Sequence, residues 1–300
     1  MYPVQALKHW YHQARRARLL YLLMLPSLLY FLVFSYFPII NGTLISFQNF
    51  RFVGKSQFVG LKNYADAIAT PGLWNVLRNT LILGLGNVVL TAFVPLLLAV
   101  LLNEIFLTAW KRFLQTVLYL PHLFSWVVVG GIWIFVLSPN NGFITAFASF
   151  LGVKSLAVFT EEAYARPLFI GINLWKQSGY VCILYLASIA GINPELYEAA
   201  MVDGAGALTR VIYITVPELY GTLKVVLILN IMGSLRIFDQ VYVLRNEVIA
   251  SKVDVLMYYV YVKGLQQFKI GYAAAISILI FLATLVLTMI FRRMIRYSMR

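Results

Sequence analysis

Lys176 and Lys224 each stand alone inside a long apolar stretch, and the polar side chains of Asn87, Asn173, Gln177, Asn230 and Ser234 have similar surroundings. Polar groups in such stretches are candidates for function because hydrocarbon solvates them poorly. Their other use is hydrogen bonding between packed helices. Covalent catalysis would need more: clustered Asp, Glu, His or Ser with an acid–base geometry, which two isolated lysines do not supply. His9, His12 and His122 are the only histidines. The first two lie in a basic tail, and His122 beside Pro121 is expected to pack or cap rather than relay protons. Cys182 is the only cysteine, which excludes a disulfide within the chain and leaves no cysteine-based metal site. Gly84-Leu-Gly86 falls inside an apolar run rather than at a strand-to-helix turn, and no Gly-x-x-x-x-Gly-Lys-[Ser/Thr] sequence occurs. No catalytic residue, metal or cofactor site is therefore expected in this chain.

The stretches that hold these polar groups define the fold class. Apolar residues make up 61% of the chain and charged residues 12%, against roughly 45–50% and about 25% in soluble domains. The mean hydropathy is +0.82. Uncharged runs at about 19–40, 79–103, 113–137 and 271–291 each reach the ~20 residues that cross a hydrocarbon core about 30 Å thick. Runs at 167–190 and 216–235 are interrupted by Lys176 and Lys224. A central lysine costs roughly 2.5–3.5 kcal/mol on insertion, which the remaining apolar residues offset. The expectation is an all-α, polytopic integral membrane protein of six transmembrane helices, one domain over residues 1–300.

The net charge of +13 does not indicate nucleic acid, because the basic residues sit at membrane edges rather than on one basic and aromatic surface. Arg15, Arg16 and Arg18 precede the first run, and Arg292, Arg293, Arg296 and Arg300 follow the last. The positive-inside rule puts both ends in the cytoplasm, as an even span count requires. The first apolar run is longer than the ~7–15 residues of a signal peptide and lacks a small-x-small cleavage site, so it is expected to stay in the membrane. Residues 41–78 are too polar to cross and are expected along the outer surface, as are residues 143–166 after a turn at Ser138-Pro-Asn-Asn-Gly142.

Residues 193–217 form a polar, small-residue island between two apolar runs. Asn193-Pro-Glu195 has the signature of a helix start: an Asn cap, a proline where no donor is lost, and an acid at the positive dipole end. Leu196, Ala199, Ala200 and Asp203 then fall on neighbouring turns, and Gly204 suits a sharp reversal. A second helical segment is expected from about Ala205 to Ile214. Thr215-Val-Pro-Glu218 reads as a capping box that opens the next span. A helix lying on the membrane would favour Lys and Arg, whereas this one carries Glu195, Glu198 and Asp203 against Arg210 alone. Acids in that arrangement suit a basic protein groove.

The order Glu198, Ala199, Ala200, Gly204, Ile214, Pro217 resembles the cytoplasmic coupling loop of the permease subunits of binding-protein-dependent ABC importers. Weaker matches to the carbohydrate type are Gly60-Leu-Lys-Asn-Tyr64, Asn79-Thr80, Pro121, Ser125, Trp175-Lys176, Gly179 and Gly271-Tyr-Ala-Ala-Ala275. The resemblance extends from about residue 19 to 291. It departs from the family where Arg245–Lys252 replaces a common Gly-Gly-Pro turn. It implies the type I ABC importer permease fold and, as partners, membrane lipid, a second permease subunit, two cytoplasmic ATPase subunits carrying ATP and Mg, and an external solute-binding protein. It further implies that Glu198, Ala199, Ala200, Asp203, Gly204, Ile214 and Pro217 couple transport to ATP hydrolysis. The cargo would be an oligosaccharide or related sugar, met by amides, hydroxyls and aromatic faces among Asn87, Asn173, Trp175, Lys176, Gln177, Asn230 and Ser234. The same architecture carrying glycerol phosphate, an amino acid or a peptide stays open, as do a membrane-embedded enzyme and a receptor without transport.

Overall fold

The structure, a computed structural model, describes residues 18–138 and 161–297, together with positions 142, 143, 146, 150, 158 and 159. His9, His12, Arg15, Arg16 and Arg300, and most of the turn expected at 138–142, lie outside the described residues.

Helix α1, Arg18–Ser46, runs with almost no side chain buried until Ser46. It passes through a widened turn at Leu32–Tyr36 just before Pro38, a residue with no N–H to donate. A two-residue hairpin follows, β1 Gln48–Asn49 antiparallel to β2 Gln57–Phe58, with Gln48 opposite Phe58. Helix α2, Lys62–Ala69, leads to α3, Pro71–Asn103, the longest helix described, with Pro71 in its first turn. After it come α4 Thr108–Leu123, α5 Trp126–Val136, α6 Glu162–Ile189, α7 Pro194–Val202, α8 Ala207–Glu218 and α9 Tyr220–Ser234. Three short helices then fold across one end, α10 Asp239–Leu244, α11 Ala250–Val253 and α12 Leu256–Tyr261, before α13 Ile270–Tyr297.

Among the described residues, α1, α3 and α13 are each long and apolar enough to cross a membrane. Three bent pairs qualify when each is taken as one span: α4 with α5 at 103°, α6 with α7 at 69°, and α8 with α9 at 54°. That raises the count to as many as six. α3 packs along α6 and against α9, and α6 packs on α4. One buried cluster joins Ala92, Val181, Tyr185 and Leu219 on these helices, and Tyr185 donates its hydroxyl to the carbonyl of Ala92 at 3.0 Å. A second, toward the opposite end, joins Leu83, Val129, Phe169, Val241 and Ile249. The approach depends on glycine: a Cβ on Gly179 would collide with the main chain of Leu118, and one on Gly84 would lie 2.8 Å from the carbonyl of Ser234.

Two local expectations need correction. The stretch 113–137 is not one helix; it breaks at Phe124, after Pro121 in the last turn of α4, and Ser125 caps α5 by accepting from the N–H of Val128 at 3.3 Å. Thr215 does not cap a new helix. It has helical dihedrals inside a widened turn at Val211–Thr215, which accommodates the missing donor of Pro217, and the chain bends later, at Leu219.

Candidate functional site

The projection between α6 and α9 is built as its residues dictate. Asn193 Oδ1 accepts from the N–H of Glu195 at 3.1 Å, its Nδ2 donates to the Glu195 carboxylate at 3.2 Å, and Pro194 opens α7. No residue of α7 is buried. The helix closes with the N–H of Ala205 donating to Ala200 at 2.8 Å, and Gly204 takes φ +81°, the left-handed region where a side chain is strained. Space around Gly204 is open, so the constraint is on the backbone and not on packing. The hydroxyls of Tyr197 and Thr215 meet at 2.9 Å and brace α7 against α8. Thr222 Oγ1 donates to Ser188 Oγ at 2.8 Å and ties α9 to α6 at the base.

Glu198, Ala199, Asp203, Gly204 and Pro217 are exposed, while Ala200 and Ile214 are half-buried. Around them Met201, Val202, Leu208 and Tyr213 are exposed apolar side chains. Among the described residues Glu198 makes no ion pair or side-chain hydrogen bond. The projection is thus a braced lever presenting an unpaired carboxylate beside small residues and an apolar rim.

The polar residues expected along the membrane path separate into two groups. Asn87 on α3 and Asn230 on α9 lie one turn from Gly84 and Ser234, whose contact places the two asparagines at a common level of this antiparallel pair. Among the described residues, Asn87 Oδ1 and Asn230 Nδ2 are both buried with no hydrogen-bond partner. Ser234 is satisfied by the carbonyl of Ile231 at 2.8 Å. The second group surrounds the break between α4 and α5. Lys176 is buried, and its Nζ donates to the carbonyls of His122 at 3.0 Å and Phe124 at 2.8 Å, with the ring of Trp126 at 5.6 Å. Lys176 thus satisfies carbonyls freed by the break, a use that competes with reaching water. Gln177 pairs with His122 Nδ1 at 2.8 Å, and that imidazole stacks on Tyr180 at 4.6 Å. Trp175 packs edge-on against Trp133 at 5.6 Å, and Asn173 on the same helix is half-buried.

A third constellation was not singled out from the sequence. Asn79 donates to the carbonyls of Ser251 and Asp254 at 3.0 and 3.2 Å and accepts from Arg166 at 2.7 Å. Glu162 pairs with Lys252 at 3.1 Å, and Arg245 pairs with both Asp254 and Glu247 at 2.7 Å. Burial pushes the Asp254 carboxyl above its ordinary range against the pull of Arg245, while Arg245 holds Glu247 below it. The segment that replaces the family's turn is thus a pinned cap over the ends of α3 and α6. The signal was Arg166 directly before Pro167 at the head of an apolar run. Among the described residues no cluster of His, Cys, Asp or Glu could hold a metal.

No family model matches the chain. The polygalacturonan/rhamnogalacturonan transport system permease protein YteP of Bacillus subtilis is 37% identical over 92% of this chain and 87% of its own length. The chain belongs to the permease subunits of sugar ABC importers. The arabinooligosaccharides transport system permease AraP of the same organism is 32% identical over 90% of this chain and 86% of its own length. The crystal structure of a bacterial ABC transporter involved in import of the acidic polysaccharide alginate contains a chain that superimposes with a TM-score of 0.91 at 30% identity, covering 97% of this permease and 100% of that chain. The crystal structure of a bacterial alginate ABC transporter in complex with an alginate pentasaccharide-bound periplasmic protein contains a chain with a TM-score of 0.90 at 30% identity, covering 96% of this chain and 97% of that chain. The permease is a multi-pass membrane protein and not itself an enzyme; ATP hydrolysis belongs to a separate subunit.

Proposed function

We propose that residues 193–217 receive the stroke of the ATPase subunit, with ATP and Mg held wholly by that partner, and that the cargo is an oligosaccharide bearing acidic sugars. The observation that carries the first part is Glu198: an exposed, unpaired carboxylate on a helix with no buried residue, braced at its base and turned by Gly204. A charge left free on a rigid lever fits a basic groove on a partner. The acidic cargo follows from the relatives' names, polygalacturonan/rhamnogalacturonan in one case and alginate in another. Asn87 and Asn230, whose buried polar atoms lack partners, with Ser234, Asn173 and Trp175, are the side chains assigned to the sugar path. Lys176 and Gln177 serve it from behind by holding the break between α4 and α5.

The reading places both termini and residues 191–215 in the cytoplasm and residues 41–78 and 236–269 outside. Cys182 is buried, so a single cysteine introduced elsewhere reports cleanly. In intact cells Lys55→Cys should react with a membrane-impermeant thiol reagent and Asn193→Cys should not. The opposite labelling pattern would overturn the orientation and, with it, the ATPase assignment.

A further inference from the structure

A cleft of about 500 Å³ lies between the hairpin, α2 and the start of α13, away from the projection. That volume falls within the roughly 300–1,000 Å³ of small-molecule sites. Its walls are held in place. Asn63 Nδ2 donates to the carbonyls of Ser46 and Gln48, both at 2.9 Å, and Gly271 approaches Gln48 so closely that a Cβ would collide with its carbonyl. A chain of hydroxyls runs along one side, Tyr259 to Tyr272 at 3.2 Å and Tyr272 to Thr70 at 3.3 Å. Phe268, at the rim, has φ +55°, a left-handed conformation that non-glycine residues adopt at a cost and that is concentrated at functional sites. Its ring meets Phe52 edge-on at 5.8 Å.

Charges of both signs line this cleft and remain without ion pairs among the described residues. Lys269 and Asp66 are exposed, and Lys263 donates only to the neutral Gln267 at 3.0 Å while lying over the ring of Tyr259 at 5.3 Å. The acids of the smaller recess that shares Tyr259 and Lys263 behave otherwise: Glu247 and Asp254 are both paired with Arg245. Had Asp66 been present to neutralise the lysines, it would be expected to pair with them. Two cations suit a carboxylate, Asp66 and the aligned hydroxyls suit sugar hydroxyl groups, and Phe268 and Tyr259 offer ring faces.

We propose that this cleft receives a carboxylated sugar residue of the oligosaccharide on the outer side of the permease, Lys263 and Lys269 taking the carboxylate. The inference rests on the outward orientation and acidic cargo proposed above. A lipid anchor would need cations and aromatics around the outside of the protein; the row of amides and hydroxyls within a walled cleft favours sugar.

The test uses the full chain in lipid nanodiscs, titrated with trigalacturonate and with neutral maltotriose by ligand-observed NMR. Wild type should bind trigalacturonate more tightly than maltotriose, with an affinity that falls as ionic strength rises. Lys263→Gln with Lys269→Gln should weaken trigalacturonate at least tenfold and leave maltotriose unchanged, whereas Asp66→Asn should weaken both. Equal affinity of wild type for the two sugars, or an unchanged affinity in the double variant, would overturn the proposal. So would loss of co-purifying anionic lipid or of binding-protein association with sugar affinity intact, since the cleft would then serve a headgroup or a protein. Uptake of trigalacturonate by the wild-type importer in vesicles is measured separately. Uptake without cleft binding removes the cleft alone, and no uptake of either sugar removes the functional reading beneath it.

Discussion

Lys176 donates from Nζ to the carbonyl of Phe124 at 2.8 Å, across the break that separates α4 from α5. Phe124 is the last residue before the cap of α5, so its carbonyl has no helical partner, and the same ammonium takes the carbonyl of His122 at 3.0 Å. A buried cation and the negative end of a helix thus satisfy each other. The bend of 103° is thus held from a neighbouring helix as well as by the Ser125 cap of α5.

Replacing Lys176 by Met should leave both carbonyls buried without a donor, a loss of about 2–4 kcal/mol at ~1–3 for each group when part is recovered by relaxation. Lys176→Arg should fall between Met and wild type, because a planar fork does not fit a site shaped for a compact ammonium. Thermal unfolding of the purified permease checks this. A residue that merely reached water would leave the Arg variant at the wild-type midpoint.

Gly204 has open space around it but φ +81°, so Gly204→Ala should cost backbone strain of about 1 kcal/mol and Gly204→Pro, which cannot reach that φ, considerably more. Neither change touches a buried helix face. Glu198→Ala should remove one charge-assisted contact, about 1.5–3 kcal/mol, and weaken ATPase association roughly ten- to a hundredfold. Co-purification of the ATPase and the ratio of ATP hydrolysed to sugar imported read both effects. Wild-type values in all three variants would dismiss the coupling assignment.

Gly179→Ala should be severely destabilising, because its Cβ would meet the main chain of Leu118, which cannot move aside as a side chain can. Gly171→Ala lies on the same helix with nothing within 4 Å and serves as the comparison. Detergent-solubilised yield and melting temperature should drop for the first and hold for the second.

Arg245→Met should destabilise the permease at neutral pH by about 1–3 kcal/mol, since it leaves Asp254 part-buried without its cation. The pH dependence has a definite sign. The folded-state carboxyl of Asp254 lies above its ordinary value of 3.8 because burial disfavours the charge, so its contribution to stability is lost as pH rises through the raised value. Removing Arg245 raises it further. The deficit of the variant should therefore shrink as pH is lowered and Asp254 protonates, which melting temperatures measured across pH 4–8 would show. A deficit that grows toward acid would contradict the pairing.

The parts of this permease that depend on neighbouring residues were legible in its sequence. The apolar runs, the Asn193 cap with Pro194, and the reversal at Gly204 are each decided within a turn or two of chain, where propensity, missing donors and allowed φ act directly. The same local logic predicts a capping box at Thr215, where the structure has a widened turn that absorbs the missing donor of Pro217, and the Thr215 hydroxyl serves Tyr197 across the projection. Burial and long-range pairing settled the remaining polar residues. Nothing near Lys176 in sequence shows that His122 and Phe124 present their carbonyls to it. The Arg166–Asn79–Ser251 cap likewise joins residues far apart in sequence. Composition determined that this chain enters a membrane and local spacing determined its lever, but which polar group satisfies which was decided by packing, because an unsatisfied donor or acceptor in an apolar interior takes whatever partner the fold brings within reach.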